Sequence, residues 1–221
     1  MNRIPKVIHY CWFGSSDLPP LYKSCVQSWN RVLPDFEIRL WNERNFKSNS
    51  KFFNDMIRSS NWAFASDYAR LSVLKEYGGI YLDADVEVIR DLSPLLEDGG
   101  CFIGYESPGR LTTGVIGSER DHPFLTTCME IMDDRHLRRK AYLIAPEVAT
   151  LAAEKQPASE NMRFLSEPHF YPYNPYDKSR SIDTLLFSDI KDCTYAIHHW
   201  GKSWKQSLHH RILKKIQKLV T

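Results

Sequence analysis

The sequence predicts a single α/β domain, and three observations support this fold class. The 221 residues are 43% hydrophobic and 25% charged, which suffices for one sizeable core. Short apolar runs typical of buried strands lie between longer segments with helical periodicity. Polar residues follow the end of one such run, where open α/β sheets bind ligands. No repeat or low-complexity linker interrupts the chain, so residues 1–204 are expected to form one domain and residues 205–221 an appended helix.

Residues 65–88 contain the pattern on which the rest of the prediction depends. Apolar residues recur at helical spacing before residue 78 and predict an amphipathic helix. Gly78 and Gly79 end this helix, because glycine adopts the left-handed C-terminal conformation without a Cβ penalty. The apolar run 80–82 then predicts a buried strand. The recurring apolar residues are Phe64, Tyr68, Leu71 and Leu74.

The other elements are expected in the following order. Strands are predicted at residues 6–13, 36–41, 101–105, 115–117 and 194–197. Helices are predicted at residues 20–32, 123–132 and 147–154, with a loop followed by a helix at 42–54. Residues 91–94 predict a turn, 133–140 a solvated loop or helix end, and 167–175 an extended loop.

Positive charge is concentrated at the C-terminus. No acidic residue follows Asp192, whereas six of the 29 basic residues do, so the first 192 residues carry a net charge of −4. Apolar residues repeat every three or four positions within this basic segment and predict an amphipathic helix over 205–221. Its apolar stripe can pack on the domain or lie on an anionic membrane, and both interpretations stay open. The repeating residues are Trp204, Leu208, Ile212, Ile216 and Leu219.

Cysteine content and hydropathy bear on the compartment. Five cysteines without a Cys-x-x-Cys spacing disfavour a zinc site or a disulfide framework and favour reduced thiols. No apolar run is long enough to span a bilayer, and no signal peptide precedes the first strand. We therefore expect a cytoplasmic protein, either soluble or peripheral on the inner face of the cytoplasmic membrane, with no nucleic-acid partner.

Asp83 and Asp85 are candidate metal ligands. A chain with 15 aspartates contains such a pair by chance, so the preceding helix and strand carry the inference. Carboxylate oxygens at a strand end suit Mn²⁺ or Mg²⁺, and His198 can complete the ligand set. Asp67 and Arg70 are three residues apart and share one face of the predicted helix. The alternative interpretation is a solvated turn with an ion pair on the helix surface.

Aromatic and basic residues near two other strand ends complete the candidate site. Trp12 follows the first strand and can stack on a nucleobase or belong to the core, and both readings stay open. Two histidines, a lysine and two tryptophans lie within residues 198–204, a denser cluster than a core usually holds. A metal, Arg70 and Lys202 together could stabilise a departing nucleoside diphosphate, since a unit charge at about 4 Å contributes roughly 4 kcal/mol at an effective dielectric of about 20.

Several segments resemble one enzyme family. Residues 65–70 and 78–85 are similar to the Asp-x-Asp sugar-binding region of the family 32 glycosyltransferases, which include bacterial capsule and lipopolysaccharide enzymes and yeast mannosyltransferases. They also resemble the catalytic core of the large clostridial glucosylating toxins. Residues 4–14 and 198–204 resemble the same family, so the likeness extends in order over nearly the whole chain.

The resemblance implies a GT-A fold, a Rossmann-like sandwich around a central mixed sheet that binds a nucleotide sugar and Mn²⁺ or Mg²⁺. It implies retention of the anomeric configuration and an α-linked product, by a front-face reaction that needs no dedicated nucleophile. We expect a UDP-sugar donor ahead of GDP-mannose. The expected acceptor is a saccharide or lipid-linked saccharide in surface-polysaccharide biosynthesis.

The resemblance also assigns roles to individual residues. Asp67 and Arg70 would hold the donor sugar. Asp83 would contact the ribose and the sugar. The metal would be bound by Asp83, Asp85 and His198. The expected catalytic residues are Asp67, Arg70, Asp83 and Asp85. The remaining nucleotide-sugar contacts would come from Trp12 against the base, Tyr81 beside the donor, and Lys202, Ser203 and Trp204 over the phosphates.

Other function classes are weaker alternatives. A sugar nucleotidyltransferase usually has a Gly-rich phosphate loop after the first strand, where this chain has only Gly14. A catalytically inactive nucleotide-sugar-binding protein is disfavoured because both aspartates, Arg70 and Tyr81 are intact. A glycosidase is disfavoured because Asp83 and Asp85, two residues apart on one strand, would point the same way and could not flank a sugar ring.

Overall fold

The computed structural model describes residues 4–14, 17–155 and 161–201. Lys202, Ser203, Trp204 and the helix expected over 205–221 lie outside the described residues, so the predictions made for them stay predictions. No helix in the described ranges is long and apolar enough to cross a bilayer.

Eight strands and five helices form the part of the chain that the structure describes, together with three short 3₁₀ helices. The strands are β1 (Val7–Cys11), β2 (Glu37–Trp41), β3 (Gly79–Leu82), β4 (Val86–Val88), β5 (Cys101–Ser107), β6 (Arg110–Ser118), β7 (Met162–Leu165) and β8 (Ala196–His198). The helices are α1 (Pro20–Val32), α2 (Lys51–Arg58), α3 (Trp62–Tyr77), α4 (Pro123–Leu137) and α5 (Ala145–Glu154). The 3₁₀ helices are Ser93–Leu96, Glu167–His169 and Phe187–Asp189.

Six strands form a central mixed sheet in the order β2–β1–β3–β6–β5–β7. β1 is parallel to both β2 and β3, and β7 is parallel to β5, whereas β6 is antiparallel to β3 and β5. β4 and β8 pair separately as an antiparallel ladder. The predicted α/β class with a central mixed sheet is therefore confirmed.

The central sheet separates two apolar clusters. Tyr81 faces the cluster that contains residues of α2, α3, α4 and α5. Its neighbours Ile80 and Leu82 face the other cluster, which includes Trp29 of α1. Alternate residues of a strand point to opposite faces of the sheet. Because both faces of β3 are covered by an apolar cluster, every residue of the strand is buried, which explains its continuous apolar sequence. The apolar run at 80–82 predicted this strand correctly.

Helix α3 was expected to be amphipathic, and that part of the prediction is wrong. The helix packs against β1 and β3 on one side and against α2 and α4 on others, so it is buried around most of its circumference. Phe64, which the periodicity placed with the core residues, is only partly buried. The buried residues of α3 are Ala65, Tyr68, Ala69, Arg70, Leu71, Val73 and Leu74.

Gly78 and Gly79 end α3 as predicted, and both are required by their surroundings. Gly78 has a φ of 65° and donates its N–H to Leu74 O. Gly79 has a φ of 106°, and a Cβ there would lie 2.6 Å from the carbonyl oxygen of Val7. Glycine is favoured at such φ values, and here it also allows β3 to approach β1 closely.

Several boundaries differ from expectation. β6 spans Arg110–Ser118 instead of 115–117, because it forms a hairpin with β5 that polar Thr112 and Thr113 obscure in the sequence. β4 and β7 were not predicted, since three or four residues give too short a pattern. Residues 167–175 form a loop, as expected, but it begins with a 3₁₀ helix and carries buried aromatic residues.

Residues 133–140 were expected to be a solvated loop or helix end. The helix end is confirmed, but the expectation of a merely solvated side chain is wrong for Asp133, which is half-buried. α4 continues through Leu137. Asp133 accepts hydrogen bonds from the hydroxyl groups of Ser50 at 2.7 Å and Tyr68 at 3.0 Å. Its carboxylate therefore joins α4 to the start of α2 and to α3, a contact between distant segments that charge patterning does not reveal.

His9 of β1 is buried in a neutral form. Trp41 Nε1–H donates to His9 Nδ1 at 3.0 Å, so Nε2 carries the proton and donates to Gly78 O at 2.9 Å. Burial lowers the pKa of His9 from 6.5 to about 4. Only the neutral ring lets both nitrogens form these hydrogen bonds. Through the two bonds, His9 ties β1 and β2 to the end of α3.

We predict that this histidine makes stability depend on pH. The unfolded chain binds the His9 proton at about pH 6.5 and the folded chain only at about pH 4, so the free energy of unfolding should fall as the pH decreases through that window. The loss should approach about 3 kcal/mol, at roughly 1.4 kcal/mol per pH unit. Urea unfolding of the wild type and His9→Gln at several pH values measures it. The stability difference between the two proteins should shrink toward pH 4; a constant difference would contradict the prediction.

Candidate active site

Three potential metal ligands converge at the carboxyl end of β3. Carboxylate oxygens of Asp83 and Asp85 and a ring nitrogen of His198 all lie within 4.8 Å of one another. His198 Nε2 is 3.4 Å from Asp85 Oδ1 and 3.9 Å from Asp83 Oδ2. Two carboxylates supply the hard oxygen ligands that Mn²⁺ and Mg²⁺ prefer, and the imidazole adds a third ligand. The donor set therefore fits a divalent cation.

Backbone hydrogen bonds explain why the two aspartates share this edge. β3 ends at Leu82, and Asp83 N–H donates to Gly114 O of β6 at 2.8 Å. Val86 N–H donates to Asp83 O at 2.9 Å and closes a turn between β3 and β4. The expectation that the aspartates lie two apart on one strand is therefore wrong, since they belong to this turn. Their carboxylates nevertheless converge, as that expectation required.

The β4–β8 ladder brings His198 to the aspartates. Val86 of β4 pairs directly with His198 of β8. Beyond β8, His199 N–H donates to Asp85 O at 2.9 Å, and Gly201 N–H donates to Asp85 Oδ2 at 2.7 Å. The last residue of β8 and the residues after it thus surround Asp85 with one imidazole and two backbone donors.

Arg70 links Asp67 of α3 to Asp83 of the turn after β3. Its Nη2 is 2.9 Å from Asp67 Oδ1 and 3.0 Å from Asp83 Oδ1. Its Nη1 donates to Thr113 O at 3.0 Å, and the guanidinium lies 4.6 Å from the centre of the Tyr81 ring. The Tyr81 hydroxyl in turn donates to Asp83 Oδ1 at 3.2 Å. The Arg70 side chain is only 6% exposed, so the alternative of an ion pair on the helix surface is wrong.

Protonation differs among the three carboxyl groups. Burial raises the pKa of Asp67 to about 6, with Arg70 opposing, and burial likewise raises the pKa of Asp83. Burial alone would raise the pKa of Asp85 as well. This pKa is instead held below its ordinary range by the charge of His198, the hydrogen bond from that ring and the hydrogen bond from Gly201 N–H. The pKa of His198 is raised, since Asp85 and Asp83 outweigh the effect of burial. Asp85 is therefore the aspartate held most firmly as a carboxylate.

Trp12 lies at the border of this site. Its ring is half-buried and its centre is 5.0 Å from that of Tyr22. A Cβ at Gly201 would collide with the Tyr22 hydroxyl, so Tyr22 bridges Trp12 to the backbone that holds Asp85. Among the described residues Trp12 Nε1 has no hydrogen-bond partner. The position suits stacking on a base at the edge of the site, and that role stays a prediction.

Sequence reasoning missed two residues that shape the site. The Tyr171 hydroxyl accepts a hydrogen bond from Val115 N–H at 2.9 Å, and its ring centre is 5.6 Å from that of His198. Tyr171 lies in a loop without periodicity, so no pattern marked it. A Cβ at Gly114 would lie 2.9 Å from Asp83 Oδ2 and 3.0 Å from the Tyr171 hydroxyl. A glycine inside a strand signals such a close approach, and this signal was available.

The predicted site residues therefore fall into three groups. The structure brings together Asp67, Arg70, Tyr81, Asp83, Asp85 and His198. Trp12 borders this group through Tyr22. Lys202, Ser203 and Trp204 lie beyond the last described residue.

Comparison with known proteins adds independent information. Residues 19–100 match the family described as a glycosyltransferase sugar-binding region containing a DXD motif. Inositol phosphoceramide mannosyltransferase 3 of Schizosaccharomyces pombe is 32% identical over 127 residues, which cover 55% of this chain and 35% of that protein. Human alpha-1,4-N-acetylglucosaminyltransferase is 29% identical over 153 residues, covering 64% of this chain and 44% of that protein. The chain thus spans less than half the length of these two relatives.

A solved structure supports the fold. The PaToxG glycosyltransferase superposes with a TM-score of 0.58 at 19% identity, covering 70% of each chain. The α/β sandwich with its central mixed sheet is therefore the expected GT-A arrangement. The matched sequence region contains Asp67, Arg70, Asp83 and Asp85. Residues 19–100 of the chain are therefore similar to a glycosyltransferase sugar-binding region that contains a DXD motif.

Proposed function

We propose that this protein is a retaining, metal-dependent glycosyltransferase that moves a sugar from a nucleotide-sugar donor to a saccharide or lipid-linked saccharide, forming an α-glycosidic bond. The observation that carries the proposal is the convergence of Asp83, Asp85 and His198 beside Arg70. Arg70 and both aspartates lie within residues 19–100, which match a glycosyltransferase sugar-binding region. We propose a UDP-sugar donor ahead of GDP-mannose, and a role in surface-polysaccharide biosynthesis.

Two carboxylates and an imidazole would hold the divalent cation, Mn²⁺ or Mg²⁺, through Asp83, Asp85 and His198. When bound, the cation would neutralise negative charge on the diphosphate of the donor. Asp85 is suited to its part because it stays ionised at neutral pH. Because the pKa of His198 is raised, its ring holds a proton more tightly and would have to lose that proton to bind a cation, so cation binding should compete with protons.

Arg70 and Asp67 would act mainly by positioning. The positive charge of Arg70 is shared by Asp67 and Asp83, and its two terminal nitrogens are already engaged. This geometry favours a role in orienting Asp83 toward the ribose and sugar hydroxyl groups over direct attraction of the phosphates. Donor-sugar contacts by Asp67 remain part of the proposal.

The proposed reaction proceeds on one face of the donor sugar. The bond between the anomeric carbon and the phosphate oxygen breaks, and its electron pair leaves with the nucleoside diphosphate. The acceptor hydroxyl oxygen bonds to the same face of that carbon, and its proton passes to the departing phosphate oxygen. No side-chain nucleophile is required, and the product keeps the α configuration. The human relative is named for an alpha-1,4 linkage, which is compatible with this outcome.

The relatives do not single out one sugar. One is named for transfer of mannose and the other for transfer of N-acetylglucosamine. A donor panel therefore tests the proposal most directly. Calorimetry with Mn²⁺ and several UDP- and GDP-sugars should reveal one preferred donor, and slow nucleotide release should accompany its binding. If no donor bound and none released nucleotide, the proposed function would be wrong.

Removal of the metal ligand with the lowest pKa should abolish cation-dependent binding. Asp85→Asn replaces a carboxylate by a neutral amide of the same size, and we expect Mn²⁺-dependent donor affinity to fall by more than about 100-fold, since loss even of groups supporting a ligand costs about 10–100-fold. Titration calorimetry with and without Mn²⁺ measures this. The exposed Asp35 offers a matched control, and Asp35→Asn should bind donor normally. Unchanged affinity in the Asp85 variant would remove the metal assignment.

A methyl group at Gly114 should displace the carboxylate of Asp83. Its Cβ would lie 2.9 Å from Asp83 Oδ2, so the carboxylate must move. We expect Gly114→Ala to lower donor turnover by about 10- to 100-fold, because a displacement of about 1 Å at a reacting group can cost about 100-fold. Gly109→Ala serves as the control: that glycine has a φ of 71° and no atom near its Cβ position, so only stability should fall. Equal losses of turnover in both variants would refute the specific effect.

A further inference from the structure

Glu106 lies at the same edge of the central sheet as Asp83. β6 is antiparallel to both β3 and β5, so β3 and β5 run in the same direction and end at one edge. Asp83 directly follows β3, and Glu106 is the second-last residue of β5. Trp12 directly follows β1, which is parallel to β3 and lies on its other side. Ligands bind at such carboxyl edges of α/β sheets, and the order along this one is Trp12, Asp83, Glu106.

The carboxylate of Glu106 is largely enclosed by the protein and retains acceptor capacity. Its side chain is 12% exposed, the same fraction as that of Asp85. Arg110 Nε–H donates to Glu106 Oε1 at 2.6 Å, and the hydroxyl of Thr112 also donates to this carboxylate. A carboxylate has about four lone-pair positions for donors, so within the described part of the chain these two donors leave some positions open. An enclosed acceptor gains free energy when further donors fill such positions.

Tyr171 connects the end of β5 to Asp83. A Cβ at Gly104, two residues before Glu106, would lie 3.1 Å from Tyr171 Cε2. A Cβ at Gly114 would lie 3.0 Å from the Tyr171 hydroxyl and 2.9 Å from Asp83 Oδ2. Burial raises the pKa of Tyr171, and the charges of Asp83 and Glu106 both add to this effect. The two carboxylates therefore lie near the same tyrosine side chain.

A second set of contacts leads from Glu106 to His198. Asn174 Nδ2 donates to Glu106 O at 3.1 Å. The ring of Tyr176, two residues further on, meets the edge of Trp200, with ring centres 5.7 Å apart. Trp200 in turn packs edge-on against His198 at 4.4 Å. Residues 174–176 therefore lie against both the end of β5 and the aromatic ring beside the candidate metal ligand.

The separation of Asp83 and Glu106 suits a glycosidic bond that forms between them. Only β6 lies between β3 and β5, so the backbones of these two strands are about 10 Å apart at a strand spacing of about 4.8 Å. Carboxyl groups about 5–9.5 Å apart bracket a glycosidic bond in glycosidases. The proposed function has the base at Trp12 and the donor sugar at Asp83, which leaves the position of Glu106 for the acceptor.

We propose that Glu106 binds a hydroxyl group of the acceptor saccharide and thereby selects and orients the acceptor, while Arg110 holds the carboxylate in place. The hydroxyl bound by Glu106 is a neighbour of the one that reacts, so the proton of the reacting hydroxyl still passes to the departing phosphate oxygen. The inference deepens the proposed function and rests on it, because it requires the donor sugar to lie beside Asp83.

Acceptor kinetics of Glu106→Gln test the proposal, since glutamine keeps the size of the side chain and removes its charge. The probes are methyl α-mannoside and methyl β-galactoside, used with Mn²⁺ and the preferred donor. We expect transfer to the accepted glycoside to lose about 10- to 100-fold in kcat/KM, mainly through KM, because a hydrogen bond to a charged group is weakened. Donor affinity, and hydrolysis of the donor by water, should not change.

Asp134→Asn is the matched control variant. Asp134 also accepts a hydrogen bond from an arginine four residues away, Arg138, but at the end of α4 and outside the site. Its transfer and hydrolysis rates should equal those of the wild type.

Monodeoxy derivatives of the accepted glycoside identify the hydroxyl group that Glu106 binds. One derivative that still reacts should lose about 10- to 100-fold in kcat/KM with the wild type and almost nothing more with Glu106→Gln, since both changes remove the same hydrogen bond. A purely structural role of the Glu106–Arg110 pair would make the two losses additive. Additive losses for every derivative therefore overturn the proposal.

Three other results overturn the proposal and leave the proposed function standing. In the first, Glu106→Gln transfers sugar as the wild type does. In the second, donor affinity and donor hydrolysis fall in parallel with transfer, which indicates a structural role or a donor contact. In the third, the wild type binds and hydrolyses a donor but transfers sugar to neither glycoside. A wild type that neither binds nor hydrolyses any donor would reject the proposed function, and this inference with it.

Discussion

The buried guanidinium of Arg70 is the constraint on which the candidate site depends. It ion-pairs with Asp67 on its own helix and with Asp83 in the turn after β3, and it donates to Thr113 O of β6. An unpaired charge at a position this buried would cost several kcal/mol, on the order of 3–5 when one partner is removed. Only an arrangement of α3, β3 and β6 that supplies all of these acceptors is therefore stable. The position of Asp83 follows from packing of the core.

The second half of the site is assembled from the far end of the described chain. Asp85 would be an isolated carboxylate without the β4–β8 ladder, which places His198 opposite Val86 and turns the backbone of His199 and Gly201 toward Asp85. Two very different sources thus position the two aspartates. Asp83 is held by a buried ion pair, and Asp85 is held by a short ladder and by backbone donors at its border.

One connection, from β7 to β8, links the site to the surface. Tyr171 near its start supports the ring of His198 and the edge of β6. Tyr176, further along this connection, makes an edge-on contact with the ring of Trp200. A single segment therefore carries both a support for the proposed metal ligand and a largely exposed aromatic side chain, Phe187.

The sequence by itself determined the local framework of this protein. Apolar runs, helical spacing and the Gly78–Gly79 pair identified α3, β3 and the aspartates that follow, because each signal is contained within a few neighbouring residues. The length of β6, the existence of β4 and the hydrogen bonds of half-buried Asp133 were not predicted, since short or polar strands and long-range contacts leave no periodicity. Likeness to a known family, more than spacing, indicated that His198 belongs with Asp85.

Only the tertiary structure decided how these parts meet. The burial of Arg70 between two carboxylates, the close approach of Gly114 to Asp83 and the support of His198 by Tyr171 all depend on strand order and register. These are set by the packing of the whole core, which residues far apart in the chain determine together. Local patterns therefore predicted candidate side chains for the chemistry, and the fold determined which of these candidates touch.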